Sequence, residues 1–151
     1  MRAGPARPVS VMTICYGAGM TPPAARLTEE TDALVRDLRE SLAAAGDPGR
    51  AEQQRRYLKS SLEMYGVGVP RTRRIAQATA ASHPSLWRDA AGWEAALHRV
   101  WDTAAHREER FAVLAIIRSR HSAPHADHIE SLVLYEHLLR TGQWWDLVDE
   151  A

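Results

Sequence analysis

From Leu27 onward apolar residues recur at three- and four-residue spacing, and nowhere do they alternate with polar ones at period two. That pattern excludes half-buried strands and restricts the chain to an all-α fold. Leu34, Val35, Leu38 and Leu42 mark a first helix, with Thr28 as its expected N-cap and Glu29, Glu30 and Asp32 in its first turn. Gly46-Asp47-Pro48-Gly49 stops it. A second helix over about 50–64 carries Tyr57, Leu58 and Leu62 and runs into the loop Gly66-Val67-Gly68-Val69. Pro70 opens a third, at a position where its missing N–H is not needed. Pro84 interrupts before a fourth helix with Trp93, Leu97, Val100 and Trp101, and Phe111, Leu114, Ala115 and Ile117 mark a fifth. After a linker at Ser122-Ala123-Pro124, a sixth carries Ile129, Leu132, Val133, Leu138 and Leu139 and closes at Thr141-Gly142. Helices of this length joined by short loops predict antiparallel pairs stacked into a solenoid, with a compact bundle as the competing arrangement.

A length of 151 residues allows one domain. We place it at 27–151, after a flexible leader over 1–26. Arg2 and Arg7 precede a mildly apolar stretch over 9–20, which faintly imitates a secretory signal. Ser10, Thr13, Tyr16, Gly17 and Gly19 break that stretch, so it reads as a leader, or the true start is Met20. No apolar run approaches the roughly 20 residues that span a bilayer. The lone cysteine, Cys15, excludes an internal disulfide and fits a cytoplasmic protein. At the other end a final helix opens at Gln143, and Trp144 and Trp145 have no later element to cover them. An uncovered tryptophan pair leads us to expect a fragment or a truncated gene product.

The balance of 19 Lys+Arg against 19 Asp+Glu conceals segregation. Arg50, Arg55, Arg56, Lys59, Arg71, Arg73 and Arg74 face only Glu52 and Glu63 over residues 50–76, a local balance of +5. Residues 27–49 carry −4 and residues 141–151 carry −3. A basic pair of helices is what phosphate contacts require, since neutralising phosphates releases counterions. A solvated face laced with i,i+4 ion pairs is the alternative. Tyr57 and Tyr65 add sugar- or base-contacting rings.

Trp145 and Asp149 are four residues apart, which sets an aromatic face beside a carboxylate on one side of a helix. Trp144, about 100° away around the helix, faces the core with Val148, and Asp146 suits the helix start. An ordinary helix N-terminus with core tryptophans is the plainer alternative. His121, His125 and His128 have a metal-like spacing, but Pro124 lies among them and no cysteine or acid completes the set, so no metal is expected. Asp102 and His106 are spaced for an i,i+4 hydrogen bond, and Trp87, Trp93 and Trp101 sit at core positions. There is no Gly-rich phosphate loop and no serine nucleophile elbow.

Tyr57-Leu58-Lys59, Tyr65-Gly66-Val67, Pro70 and Arg73-Arg74 resemble the N-terminal signature of the AlkD-like DNA alkylation repair family. His106-Arg107-Glu108-Glu109-Arg110-Phe111, Tyr135-Glu136 and Gly142-Gln143-Trp144-Trp145-Asp146-Leu147-Val148-Asp149 continue it in order. The resemblance implies a HEAT-like solenoid that hydrolyses the N-glycosidic bond of cationic N3- or N7-alkylated purines in double-stranded DNA. It also implies a monomer that uses no cofactor or metal and grips the DNA backbone without enclosing the lesion in a pocket. By position, Asp149 and Trp145 fall on the family's catalytic carboxylate and active-site aromatic. Lys59, Tyr65, Arg71, Arg73 and Arg74 are the expected DNA-binding set. Members continue through further helices that supply an arginine and another aromatic wall, which have no counterpart here. A non-catalytic helical-repeat module binding DNA or a protein partner, or an inactive remnant, is the alternative reading.

Overall fold

The computed structural model describes residues 23–142. The described residues form an all-α fold of seven α-helices: α1 (Pro23–Ala44), α2 (Pro48–Leu58), α3 (Val69–Ser82), α4 (Ala90–Asp102), α5 (Arg107–Ile117), α6 (Ala123–Ala126) and α7 (Leu132–Gly142). Short 3₁₀ turns at Pro84–Trp87 and Ile129–Ser131 punctuate it. No described helix is long and apolar enough to cross a membrane.

Helix boundaries follow their caps. α1 begins at Pro23, so residues 23–26 are helical and Thr28 lies inside the helix. Its hydroxyl donates back to the Ala24 carbonyl at 3.0 Å instead of capping. The expected stop is also a start: Asp47 accepts the Arg50 N–H at 3.1 Å and Pro48 supplies the first helical φ. α2 ends at Leu58, six residues earlier than its apolar spacing suggests, because Lys59 turns left-handed at φ 47°. The chain from there to Gly68 is an extended connection that pairs with another helix start.

α1 packs against α3 and α4, α3 against α5, and α4 against α5 and α7. This order of neighbours agrees with stacked helix pairs. The core between them is built from Leu34, Leu38, Leu42, Ala76, Leu97, Val100 and Ile116, with Trp93 and Trp101 fully buried as expected and Trp87 nearly so. Each indole N–H has an acceptor, as a buried indole needs. Trp87 donates to the Ala80 carbonyl at 2.7 Å, Trp93 to Ser122 Oγ at 2.8 Å and Trp101 to Thr141 Oγ1 at 2.7 Å. Ser122, expected in a linker, is therefore a buried part of the core.

The start of α5 organises the extended connection. Glu63 N–H donates to the Ala105 carbonyl at 3.2 Å, and Arg107 N–H to the Glu63 carbonyl at 2.9 Å. The buried Glu108 carboxylate then accepts three successive backbone N–H groups, from Tyr65 (3.1 Å), Gly66 (2.8 Å) and Val67 (3.1 Å). Its neighbour Glu109, wholly buried, accepts from Arg39 Nε at 2.9 Å, the Tyr65 hydroxyl at 3.2 Å and the His106 N–H at 3.3 Å. Arg39 also donates to the Thr103 carbonyl. Two buried carboxylates are tolerated because they are paired or bonded and sit in the first turn of a helix, where the dipole favours negative charge.

Gly66 is the pivot of that connection. Its φ is +80°, and a Cβ there would lie 2.1 Å from the Asp47 carbonyl oxygen and 2.7 Å from the Ala51 nitrogen. Gly66→Ala is expected to destabilise the fold by about 3 kcal/mol or more, the backbone having no flexible neighbour to displace. Glu108→Ala leaves three buried N–H groups without an acceptor, with an expected loss of about 3–5 kcal/mol. Guanidinium unfolding measures both; a loss below 1 kcal/mol in either variant, roughly the effect of a surface substitution, would contradict this account.

Candidate nucleic-acid interface

α3 begins at Val69 with Pro70 in its first turn, as the sequence implies, and lies alongside α5. Thr72 and Ala76 face inward, so Arg71, Arg73 and Arg74 are left on the exposed side. Arg73 lines a shallow groove between the two helices together with Val69, Thr72, Phe111, Ala115 and Arg118. Arg107 is buried, with its guanidinium 5.8 Å from the Phe111 ring centre, and does not reach this surface. Arg118, exposed on this surface, was not singled out by the sequence, because the charge imbalance over 50–76 reports a single segment. The end of the neighbouring helix adds an arginine from another.

Lys59 is exposed at the left-handed end of α2. The other basic residues of that helix are partly committed. Glu52 accepts from Arg55 Nη2 and Arg56 Nε, each at 2.8 Å, and these bonds hold its carboxyl below the usual range. The alternative of an ion-paired helix face thus applies to this part of α2, while Arg71, Arg73 and Arg74 of α3 are exposed. Tyr57 is 82% exposed beside this pair, whereas Tyr65 is half-buried. Its ring stacks on His106 with centres 3.7 Å apart, and burial beside Glu109 pushes its phenol well above its ordinary value. Of the expected DNA-binding set, Tyr65 therefore braces the loop, while Lys59, Arg71, Arg73 and Arg74 are on the surface.

The expected Asp102–His106 hydrogen bond is not formed. His106 is held by Tyr65 and Glu109, and Asp102 turns to α7, where it accepts from His137 Nε2 at 2.6 Å. His121 and His125 pack beside Trp87 and Trp93, and His125 Nε2 is 3.0 Å from the Trp87 carbonyl oxygen. Burial and the nearby Arg120 lower the His121 pKa.

Trp145 and Asp149, expected to carry the chemistry, lie outside the described residues, as does Trp144. The structure does describe the end of the helix that precedes them. Arg110 donates to the Thr141 carbonyl at 3.0 Å while its guanidinium lies 4.9 Å from the Trp101 ring centre. Burial lowers the Arg110 pKa, the nearby Arg107 charge acts in the same direction, and Asp102 opposes both. Gly142 lies against Trp101, where an added Cβ would come within 3.3 Å of the indole. Trp101 and Arg110 therefore fix the backbone immediately before Gln143.

The sequence pattern of DNA alkylation repair enzymes matches residues 38–151, which include the helices of the groove, the buried Glu108 and Glu109, and the Trp145–Asp149 string. No curated protein and no solved structure matches the chain significantly. The match over most of its length places this chain in the DNA alkylation repair enzyme family, with DNA as the partner that membership implies.

Proposed function

We propose that this chain acts on double-stranded DNA as a monofunctional glycosylase, hydrolysing the N-glycosidic bond of cationic N3- or N7-alkylated purines. The observation that carries the proposal is that the family match runs through the Trp145–Asp149 string, not only through the helical scaffold. On this reading Asp149 is the catalytic carboxylate and Trp145 the aromatic wall beside it. The protein acts as a monomer in the cytoplasm.

An alkylated purine that already carries positive charge leaves without a general acid. As its bond to C1′ lengthens, the deoxyribose gains oxocarbenium character. A carboxylate beside the sugar stabilises that cation and orients the attacking water. At 4 Å and an effective dielectric near 20, the attraction is about 4 kcal/mol, or roughly a thousandfold in rate where it is realised only in the transition state. A tryptophan face adds about 1 kcal/mol of cation–π attraction. This chemistry requires no cofactor.

Binding falls to the basic surface. Arg73 and Arg118 flank the α3–α5 groove, with Arg71, Arg74 and Lys59 on exposed positions around it. Contacts of this kind grip phosphates without reading sequence. A second reading, a non-catalytic DNA-binding repeat module, draws support from a groove lined by α3, α5 and Arg118 of the scaffold.

Asp149→Asn is expected to lower release of N7-methylguanine from methylated duplex DNA by about a thousandfold while leaving duplex affinity within about twofold, measured by base release and by fluorescence anisotropy. Equal release by the variant would remove Asp149 from the chemistry. Absence of release by the unaltered chain, with duplex binding intact, would favour the non-catalytic module. Replacing the exposed Arg71 and Arg74 together by Ala should reduce the slope of log K against log salt by about 1.8, near 0.9 for each phosphate that is no longer neutralised. The Arg55→Ala/Arg56→Ala pair, tied to Glu52, should change it less; the reverse order would move the phosphate track to α2.

A further inference from the structure

Between α4 and α7 the structure gathers three metal-ligating side chains that the repair chemistry does not use. His98 and Asp102 are four residues apart on α4, and their side chains meet His137 from α7. His98 Nδ1 is 3.5 Å from one Asp102 oxygen and His137 Nε2 is 2.6 Å from the other. One ligand atom from each residue lies within 4.8 Å of the other two. The two imidazole centres are 4.7 Å apart. All three side chains are between one third and one half exposed, so an ion has a path from solvent.

A tetrahedral ion bound at roughly 2.0–2.2 Å separates its ligand atoms by about 3.3–3.5 Å. The His98–Asp102 separation matches that value, the His137–Asp102 one is shorter and all lie within 4.8 Å, so a bound ion requires the His137 ring and the carboxylate to part by rotation. We propose that His98, Asp102 and His137 bind one divalent transition ion of the zinc class, with water in the fourth position. Two imidazoles and a single carboxylate select zinc, cobalt, nickel or copper over magnesium and calcium, which take oxygen ligands. The ion replaces the hydrogen bond between His137 and Asp102.

The consequence is mechanical. His137 precedes Thr141 by one turn, and Thr141 is the residue that Trp101 and Arg110 hold. An ion on His137 therefore locks α7 to α4 at the end of the helix that leads toward residue 143. The sequence set the His121, His125 and His128 spacing aside; it gave no reason to connect residues 98, 102 and 137, because α7 reaches α4 only in the folded chain.

The test is calorimetric titration of zinc chloride into the untagged, chelator-treated full chain, with cobalt(II) absorption as a geometric probe. One ion per chain is expected, with micromolar affinity, tetrahedral cobalt bands and a raised Tm. His98→Ala and His137→Ala should each weaken binding at least about tenfold, the smallest effect usual even for changes outside the ligand set. His128→Ala, on an exposed residue outside the cluster, should not. No zinc binding, equal binding of magnesium, or binding retained by the His98→Ala/His137→Ala double variant would overturn the proposal. Where a variant does not fold, NMR of the unaltered chain decides: zinc-dependent shifts confined to the His98 and His137 rings support the site, and shifts confined to other histidines overturn it.

Discussion

Two buried carboxylates at the start of α5 hold the architecture together. Glu108 and Glu109 are adjacent in sequence but act on different partners: the first on three backbone N–H groups of the Tyr65–Val67 loop, the second on Arg39 of α1, Tyr65 and His106. Without them the extended connection between α2 and α3 would have no acceptor for its buried N–H groups, and a buried polar group left unpaired is expensive. The connection in turn sets where α3 begins, and therefore where Arg71, Arg73 and Arg74 emerge. The basic surface is positioned by an acidic interior.

A second set of polar contacts fixes the other end of the described chain. Trp101 is buried between α7, to which it offers an indole N–H for Thr141 and a ring edge for Gly142, and α5, whose Arg110 lies over its ring. Arg110 lies one turn after Arg107 on α5, so the helix that anchors the loop also anchors the end of α7. α5 is the element on which both halves of the proposed site depend, the groove through Phe111 and Arg118 and the approach to residue 143 through Arg110.

Periodicity was sufficient to read most helices and the tryptophan core, but it misreported burial over 129–139, where Leu138 is buried while Ile129, Leu132, Val133 and Leu139 are exposed. Pro48, Pro70 and the glycine-rich turns located most helix starts for a local reason, the geometry of caps. α2 was the exception: Leu62 continued the apolar spacing, but Lys59 turned left-handed and Glu63 paired with residues 105 and 107. No local rule contains a partner more than forty residues away. The same limit applies to Asp102, whose i,i+4 spacing to His106 gave way to His137 on α7. Net charge was misleading in a similar way, since it was evaluated along the chain; Glu52 neutralises part of the basic run, while Arg118 joins it from α5. The Trp145–Asp149 string was legible only by its residue types and its place in a family pattern.

Such a division of labour suits the chemistry proposed for this chain. A cationic lesion supplies its own leaving group, so catalysis asks the protein for a fixed negative charge and for DNA held against it, and not for a proton donor. Fixing a charge is a matter of rigid backbone before it is a matter of the charged residue. The polar interior of this chain is concentrated where it limits backbone freedom: at Gly66, which admits no side chain, at the Glu108 cradle, and at the Thr141 anchor. Each lies before the proposed reacting groups in the sequence, and each constrains an element of the described fold. On the proposed reading, chemistry that needs no acid depends first on a backbone as tightly specified as this one.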